Sequence, residues 1–294
     1  MSFVSKFPKR VIGYQAIALF LFTLAWSSVH AELVLTSPPR ESAANGLKQY
    51  GPIAEKLTQV LGEKVTYQHP KGWLYYQRDM RKDKYDIIFD GPHFVSWRIK
   101  KFDHTPVAKL PGKLSFVLIT EKGMTGLKDL EINRPYDLVN LPVCALAPPN
   151  LATLSILAAY DNPVRQPRLM TVKGGMKGVY NAFKSGKCKA AILRDKFYEK
   201  KIPENEREKL KVLFKSDPVT SQGITVSSRV NEDQRKLIAG ALTEITTATA
   251  PTLKRFAPKA EKMVITDNSE YEGYYKLLTG VIFGWEIDED KPAQ

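Results

Sequence analysis

Histidine and cysteine are scarce in this 294-residue chain, which has four His and two Cys. No H-E-x-x-H or C-x-x-C motif organises them, so His69, His93 and His104 are not expected to form a metal site. There is no G-x-S-x-G nucleophile turn and no Walker loop. The Gly-rich stretch VKGGMKG (172–178) departs from G-x-G-x-x-G and reads as a tight strand-to-helix turn. With no nucleophile–base pair, metal set or cofactor motif, the pattern argues against an enzyme, and no cofactor is expected. Nucleic-acid-binding motifs are also missing, so no such partner is expected. Beyond the first thirty residues no apolar run is long enough to cross a membrane.

The composition is that of a globular protein. Hydrophobic residues make up 43% and aromatic residues 10%, enough for a substantial core and against disorder. The length allows one large domain or two ordinary ones. At the N-terminus, Lys6, Lys9 and Arg10 precede the apolar run Val11 to Trp26, and Val29-His30-Ala31 supplies a small-residue cleavage site. Residues 1–31 therefore read as a cleaved secretory signal peptide, which makes the mature protein an exported one. The formal charge is +13, of which the leader contributes three, leaving about +10 on the remainder. A field of that sign attracts anions, although a lysine-rich solvated surface accounts for it equally well. Export makes a disulfide chemically permissible for Cys144 and Cys188. A bridge would close a loop of roughly 45 residues, worth about 4 kcal/mol in the chain-entropy model. Two buried thiols are the alternative.

Strand-like and helix-like segments alternate. ELVLTSP (32–38) reads as a strand. Leu47, Tyr50, Ile53, Leu57, Val60 and Leu61 then fall at helical spacing, with Gly62 as a stop and Pro52 as an expected kink or restart. KVTYQH (64–69) alternates as a strand, Trp73, Tyr76 and Met80 share a helical face, and 86–89 is a short buried strand. This β-α-β-α-β block recurs. Strands are expected at 142–147, 168–172 and 189–193, with helices at 153–160 and 175–185, the latter burying Val179, Tyr180 and Phe183. KLSFVLIT (113–120) reads as a strand joining two lobes, and 211–214 and 223–228 as further strands. Asn231 with Gln234 makes a capping box for a helix striped by Leu237, Ile238, Ala241, Leu242 and Ile245. Tyr271, Tyr274, Tyr275 and Leu278 read as a last helix. Such alternation predicts an α/β fold of two lobes, each a parallel-rich sheet flanked by helices, with a ligand cleft between them.

Strand ends are where ligands sit in such folds. The segment YDIIFDGPHF (85–94) breaks from a buried strand straight into Asp90-Gly91-Pro92-His93. There Gly91 admits a close backbone approach, Pro92 fixes the turn, and Asp90 and His93 offer polar contacts. SPPRES sets Arg40, suited to oxyanions, beside a helix start. HPKGWLYY brings Lys71, Trp73 and Tyr75 to a second strand end. In the other block APPNLAT places Asn150 as a cap with free N–H groups of Ala152 and Thr153 behind it, and ILRD ends its strand with Arg194 and Asp195.

Tyr50-Gly51-Pro52-Ile53-Ala54, Leu61-Gly62 and Asp86-Ile87-Ile88-Phe89 with Gly91-Pro92 resemble the pattern of the phosphonate-binding-protein family of periplasmic solute receptors, which serve ABC transporters. GLKDL (126–130), GVYNAFKSGKCKAAIL, FKSDPV (214–219) and RVNEDQRKLIAGAL match more loosely, so the resemblance spans most of residues 33–250. It implies a type II periplasmic-binding-protein fold, with lobe 1 formed by 32–118 and 226–294 and lobe 2 by 119–225. It also implies two crossings and hinge-like closure on a small-molecule ligand. Tyr50 and Gly91-Pro92-His93 would line one side and Asn150 to Thr153 the other. The strands carrying Cys144 and Cys188 would be neighbours, favouring their disulfide. The implied role is ABC-transporter capture of a phosphonate- or phosphate-like oxyanion, as a periplasmic monomer docking on an inner-membrane permease. A periplasmic module signalling to a membrane kinase is the alternative. Where the family offers a run of Ser and Thr, Pro148 to Thr153 carries one hydroxyl, and Trp73, Tyr75 and Tyr76 suit an organic or partly apolar ligand.

Overall fold

The computed structural model describes residues 32–287 apart from 161 and 283. The leader expected at 1–31 lies outside them. Among the described residues no helix is long and apolar enough to cross a membrane.

The first block runs β1 (Leu33–Thr36), α1 (Ala43–Leu61), β2 (Val65–Tyr67), α2 (Trp73–Met80), β3 (Ile87–Asp90), α3 (Pro92–Phe102) and β4 (Thr105–Lys109). Ser42 caps α1 by accepting from the Asn45 N–H, and Gly62 ends it in the left-handed region at φ 67°. No break occurs at Pro52. The helix runs through it, because Tyr50, Ile53, Ala54 and Leu57 are buried on both sides and hold the turn against the missing N–H.

β5 (Lys113–Leu114) leads to β6 (Phe116–Glu121), and a second block comes next: β7 (Pro142–Ala145), α4 (Leu151–Leu157), β8 (Arg168–Thr171), α5 (Gly175–Lys184), β9 (Ala190–Arg194), α6 (Asp195–Lys201), α7 (Glu204–Arg207) and β10 (Leu210–Lys215). The chain returns through β11 (Val219–Thr220) and β12 (Gly223–Val226) to α8 (Glu232–Thr243), α9 (Ala250–Phe256), β13 (Val264–Ile265) and α10 (Lys276–Thr279). The capping box at Asn231 and Gln234 is present. The stripe on α8 is narrower than the spacing suggests: Ile238, Ala241 and Leu242 are buried, while Leu237 and Ile245 are exposed. The last segment is not one helix. It is a 3₁₀ turn at Asn268–Tyr271 followed by the single turn of α10.

The strands form a six-stranded sheet, β13-β4-β12-β3-β1-β2, and a five-stranded sheet, β10-β6-β9-β7-β8. In each, three adjacent strands are parallel in the order second-first-third, and the added strands run antiparallel to their neighbours. The chain changes direction beside the first strand of each block, which is the topological switch point where ligands bind. β5 and β11 pair with each other alone, Leu114 opposite Val219. They carry the two crossings between the sheets. The expected strand 113–120 is therefore two strands broken at Ser115, and the expected divisions at 118/119 and 225/226 fall inside β6 and β12.

Leu35, Ile53, Leu57, Phe89, Ile224 and Ile238 centre the first core. The second sheet is covered on both faces, by a cluster around Phe116, Val143 and Ile156 and by one around Ile119, Val179 and Phe183. Cys144 and Cys188 are joined, with Cα atoms 5.6 Å apart and a sequence separation of 44. The bridge pins β7 to the start of β9.

Candidate functional site

The C-terminal ends of β1 and β3 lie side by side, since β1 pairs with β3. The loops leaving the two strands therefore converge. Arg40 comes from the loop after β1, and its Nη2 reaches Asp90 Oδ1 at 3.5 Å. Asp90 is fully buried at the end of β3. Four donors surround it: Arg40, Arg98 Nη1 at 3.2 Å on Oδ2, the Tyr76 hydroxyl on Oδ2, and its own neighbour's Gly91 N–H at 2.6 Å on Oδ1. Burial pushes the Asp90 carboxyl above its ordinary value, and the arginines, the tyrosine and the amide pull the other way. Arg98 is itself fully buried, its Nε donating to Thr225 Oγ1 at 3.0 Å and its Nη1 meeting Met80 Sδ at 2.9 Å. Two guanidiniums thus face one carboxylate. The nearby Glu41 is matched by Arg255 at 2.6 Å, so this end of the first sheet keeps a positive excess.

Tyr50 projects from α1 with its ring against Tyr67 and Phe89 at 5.3 and 5.7 Å. Burial raises its hydroxyl well above the ordinary tyrosine value, so it is a firm O–H donor. Tyr67 lies behind it, bonded to Ser37 Oγ at 3.1 Å and His69 Nδ1 at 2.9 Å, and burial pushes its hydroxyl up to about 12. Gly46 is what lets Tyr67 and His69 approach α1, because a Cβ there would sit 2.6 Å from the hydroxyl and 2.7 Å from the ring nitrogen.

His93 stands on the first turn of α3, 3% exposed. Its ring packs on Phe94 at 4.3 Å and lies over Gly91, where a Cβ would come within 2.8 Å of it. Its Nε2 meets the carbonyl oxygen of Pro149 at 3.0 Å. That bond joins the first block to the approach to α4 in the second. There Asn150 caps α4 by accepting from Ala152 N–H at 3.1 Å, and Thr153 donates its hydroxyl to Leu146 O at 2.7 Å. The Ala152 amide is therefore not free, and the one hydroxyl at this helix start is committed to backbone.

Arg40, Tyr50, Asp90, Gly91, Pro92 and His93 thus come together, with Asn150, Ala152 and Thr153 facing them through Pro149. Lys71, Trp73 and Tyr75 are exposed at the start of α2. Trp73 nonetheless leans edge-on against Tyr76 at 6.2 Å, and Arg78 covers Tyr75 at 5.0 Å. Arg194 and Asp195 sit at the end of β9. Asp195 accepts from the Ser115 hydroxyl and from Lys196 N–H, and burial lowers the Arg194 value. Sequence reasoning missed Arg98 and Tyr271 and treated Tyr76 only as part of an aromatic set. Tyr76 at helical spacing from Met80 reads as core, Arg98 sits in the basic run WRIKK, and Tyr271 lies far along the chain. The Tyr271 hydroxyl is placed by β12, whose Gly223 pairs with Asp90. A Cβ on Gly223 would collide with that hydroxyl. Gly223→Ala is therefore expected to cost about 1–3 kcal/mol by overpacking, read by urea unfolding, and an unchanged midpoint would show that Tyr271 can move aside.

Seven buried side-chain atoms of this region find no partner in the protein: Arg40 Nη1, Glu41 Oε1, Gln49 Nε2, Tyr50 Oη, His93 Nδ1, Arg98 Nη2 and Tyr271 Oη. Buried polar atoms are normally satisfied, and such a concentration at a switch point makes this end of the sheet the candidate site for a polar ligand. Among the described residues no group of His, Cys, Asp and Glu has the arrangement of a metal site.

A family profile described as "ABC transporter, phosphonate, periplasmic substrate-binding protein" matches residues 35–271. No curated protein sequence matches. Among solved structures, the chain is similar to PhnD1 from Prochlorococcus marinus in complex with methylphosphonate, with TM-score 0.58 and 12% identity over 83% of this chain and 96% of that one. A Xanthomonas citri protein bound to ATP gives TM-score 0.64 and 10% identity over 83% of this chain and 94% of that one. A binding-protein component of an ABC phosphonate transporter from Pseudomonas aeruginosa gives 0.53 and 14% over 83% and 84%. At such identities the likeness concerns the two-lobed fold.

Proposed function

The chain belongs to the phosphonate periplasmic substrate-binding proteins of ABC transporters, and from that membership we propose that it captures a small phosphorus oxyanion between its lobes at the ends of β1 and β3. The observation that carries this reading is the set of buried, unpartnered polar atoms beside Arg40, in a region with a positive excess. Arg40 supplies a charge-assisted donor and Tyr50 a neutral one. Asp90, Gly91 and Pro92 hold the turn that presents His93. The start of α4, Asn150 to Thr153, closes from the second lobe. Trp73 and Tyr75, with Lys71 beside them, form a rim suited to an organic substituent. The protein binds and releases its ligand unchanged, as a monomer, and hands it to a membrane permease. Periplasmic residence follows from the family.

The test is calorimetric titration with methylphosphonate, phosphate and ATP, the first and last chosen because two fold neighbours hold them. Arg40→Ala should weaken the best ligand about 100-fold, the loss of charge-assisted bonds worth about 3 kcal/mol. Arg40→Lys should recover little of it, because an ammonium cannot present two parallel donors. Wild-type affinity in Arg40→Ala would remove the site from the ends of β1 and β3.

A further inference from the structure

Pro149 has only a carbonyl oxygen to offer, and a carbonyl can only accept. The His93 nitrogen 3.0 Å from it, Nε2, must therefore carry the hydrogen. With Nε2 committed as donor, the other nitrogen decides what the ring can recognise. If Nδ1 also bore a proton the ring would be a buried cation facing Arg40 and Arg98. Burial, with those two guanidiniums adding repulsion, pushes the imidazole down to about 3, so the ring is neutral and Nδ1 is a bare lone pair. That lone pair is buried and has no partner in the protein. Arg40 Nη1 is an unpartnered donor in the same region, as is the Tyr50 hydroxyl, which also feels the Arg40 guanidinium. An anion that offered acceptors alone would satisfy Arg40 and Tyr50 and place its own lone pairs against that of His93.

Resting on the site proposed above, we infer that His93 makes the cleft selective for a singly protonated phosphorus oxyanion: its Nδ1 accepts a hydrogen bond from a P–O–H group while Arg40 holds the charged oxygens. Sulfonates and sulfate, which have no such hydrogen at neutral pH, leave the lone pair unsatisfied and repelled. The choice is between ligands of one shape and is made by one proton. Leaving a buried acceptor unmatched is the kind of defect that discriminates strongly between near-isosteres.

Methylphosphonate monoanion and methanesulfonate test this directly. They share a tetrahedral shape, a methyl group and a single negative charge, and differ by the hydroxyl hydrogen. Titration of the wild type at a pH below the second ionisation of methylphosphonate should give at least about 100-fold tighter binding of the phosphonate. His93→Phe, which keeps an aromatic ring and removes both nitrogens and so the acceptor, should bring the two ligands within a few-fold of each other. Equal binding of both by the wild type overturns the inference while leaving the oxyanion site standing, and so does discrimination that survives in His93→Phe. Binding of neither overturns the site and the inference together. A second readout needs no variant: wild-type affinity for methylphosphonate should fall about tenfold per pH unit above the ligand's second pKa. The charged groups around the site are Arg40, Glu41, Asp90, Arg98 and Arg255, and burial holds the Tyr50 and Tyr76 hydroxyls above that range and the His93 imidazole below it. A flat or rising profile there rejects recognition of the protonated form.

Discussion

Arg98→Met is expected to lower the stability of the folded chain by about 3–5 kcal/mol, the usual penalty for removing one partner of a buried ion pair. The side chain is fully buried, and it is the closer of the two guanidiniums on Asp90, 3.2 Å away against 3.5 Å for Arg40. Without it the Asp90 carboxylate keeps only Tyr76, the Gly91 amide and the longer contact to a partly exposed arginine. Thr225 Oγ1 also loses its donor. Urea unfolding should show the midpoint falling with little change in slope, and heating should show a drop on the order of 10 °C. Methionine nearly fills the volume, so cavity formation contributes little. The double variant Asp90→Asn, Arg98→Met should recover much of the loss, because the uncompensated charge goes with its partner. A loss below about 1 kcal/mol in the single variant would mean that Arg40 alone holds Asp90.

Removing the bridge with Cys144→Ala, Cys188→Ala should cost about 4 kcal/mol, the loop-closure entropy restored to the unfolded chain. The two positions are 44 residues apart in sequence, and the loop contains α4, β8 and α5. Both cysteines are buried against Val179, Phe183 and Ala191, so alanine adds a small packing loss. The wild type should lose the same stability in strong reductant, and the double variant should not respond to it. Equal stability of variant and wild type would show that residual structure in the unfolded chain already confines the loop.

Strong local patterns made most of the fold legible. The short apolar runs at 87–90 and 190–194 are central strands, and the capping box at Asn231 and the stop at Gly62 mark helix ends where the sequence says they do. Legibility failed where structure depends on distant partners. β4 contains Pro106 and has no clean alternation, yet it forms because β12 and β13 flank it. Pro52 breaks nothing because neighbouring side chains are anchored in the first core. The site divides in the same way. Arg40, Asp90 and His93 announce themselves as odd residues at the ends of apolar runs. Arg98, which neutralises Asp90 from below, looks like one more lysine-like charge on a surface helix, because its burial is created by α2 and β12.

The stretch after the 3₁₀ turn touches both halves of the molecule. Tyr274 and Leu277 pack on the core of the second sheet, and the Tyr274 hydroxyl accepts from Thr220 N–H. Leu278 and Trp285 share a cluster with Phe94 and Trp97 of the first block and with Leu154 of α4. On the proposed function, parting the lobes would pull α4 from α10, where Leu154 and Leu278 share that cluster, and the repacking would add to the barrier for ligand escape. Substitutions at Leu278 are thus levers on residence time: they should alter the dissociation rate of a trapped ligand far more than its association rate.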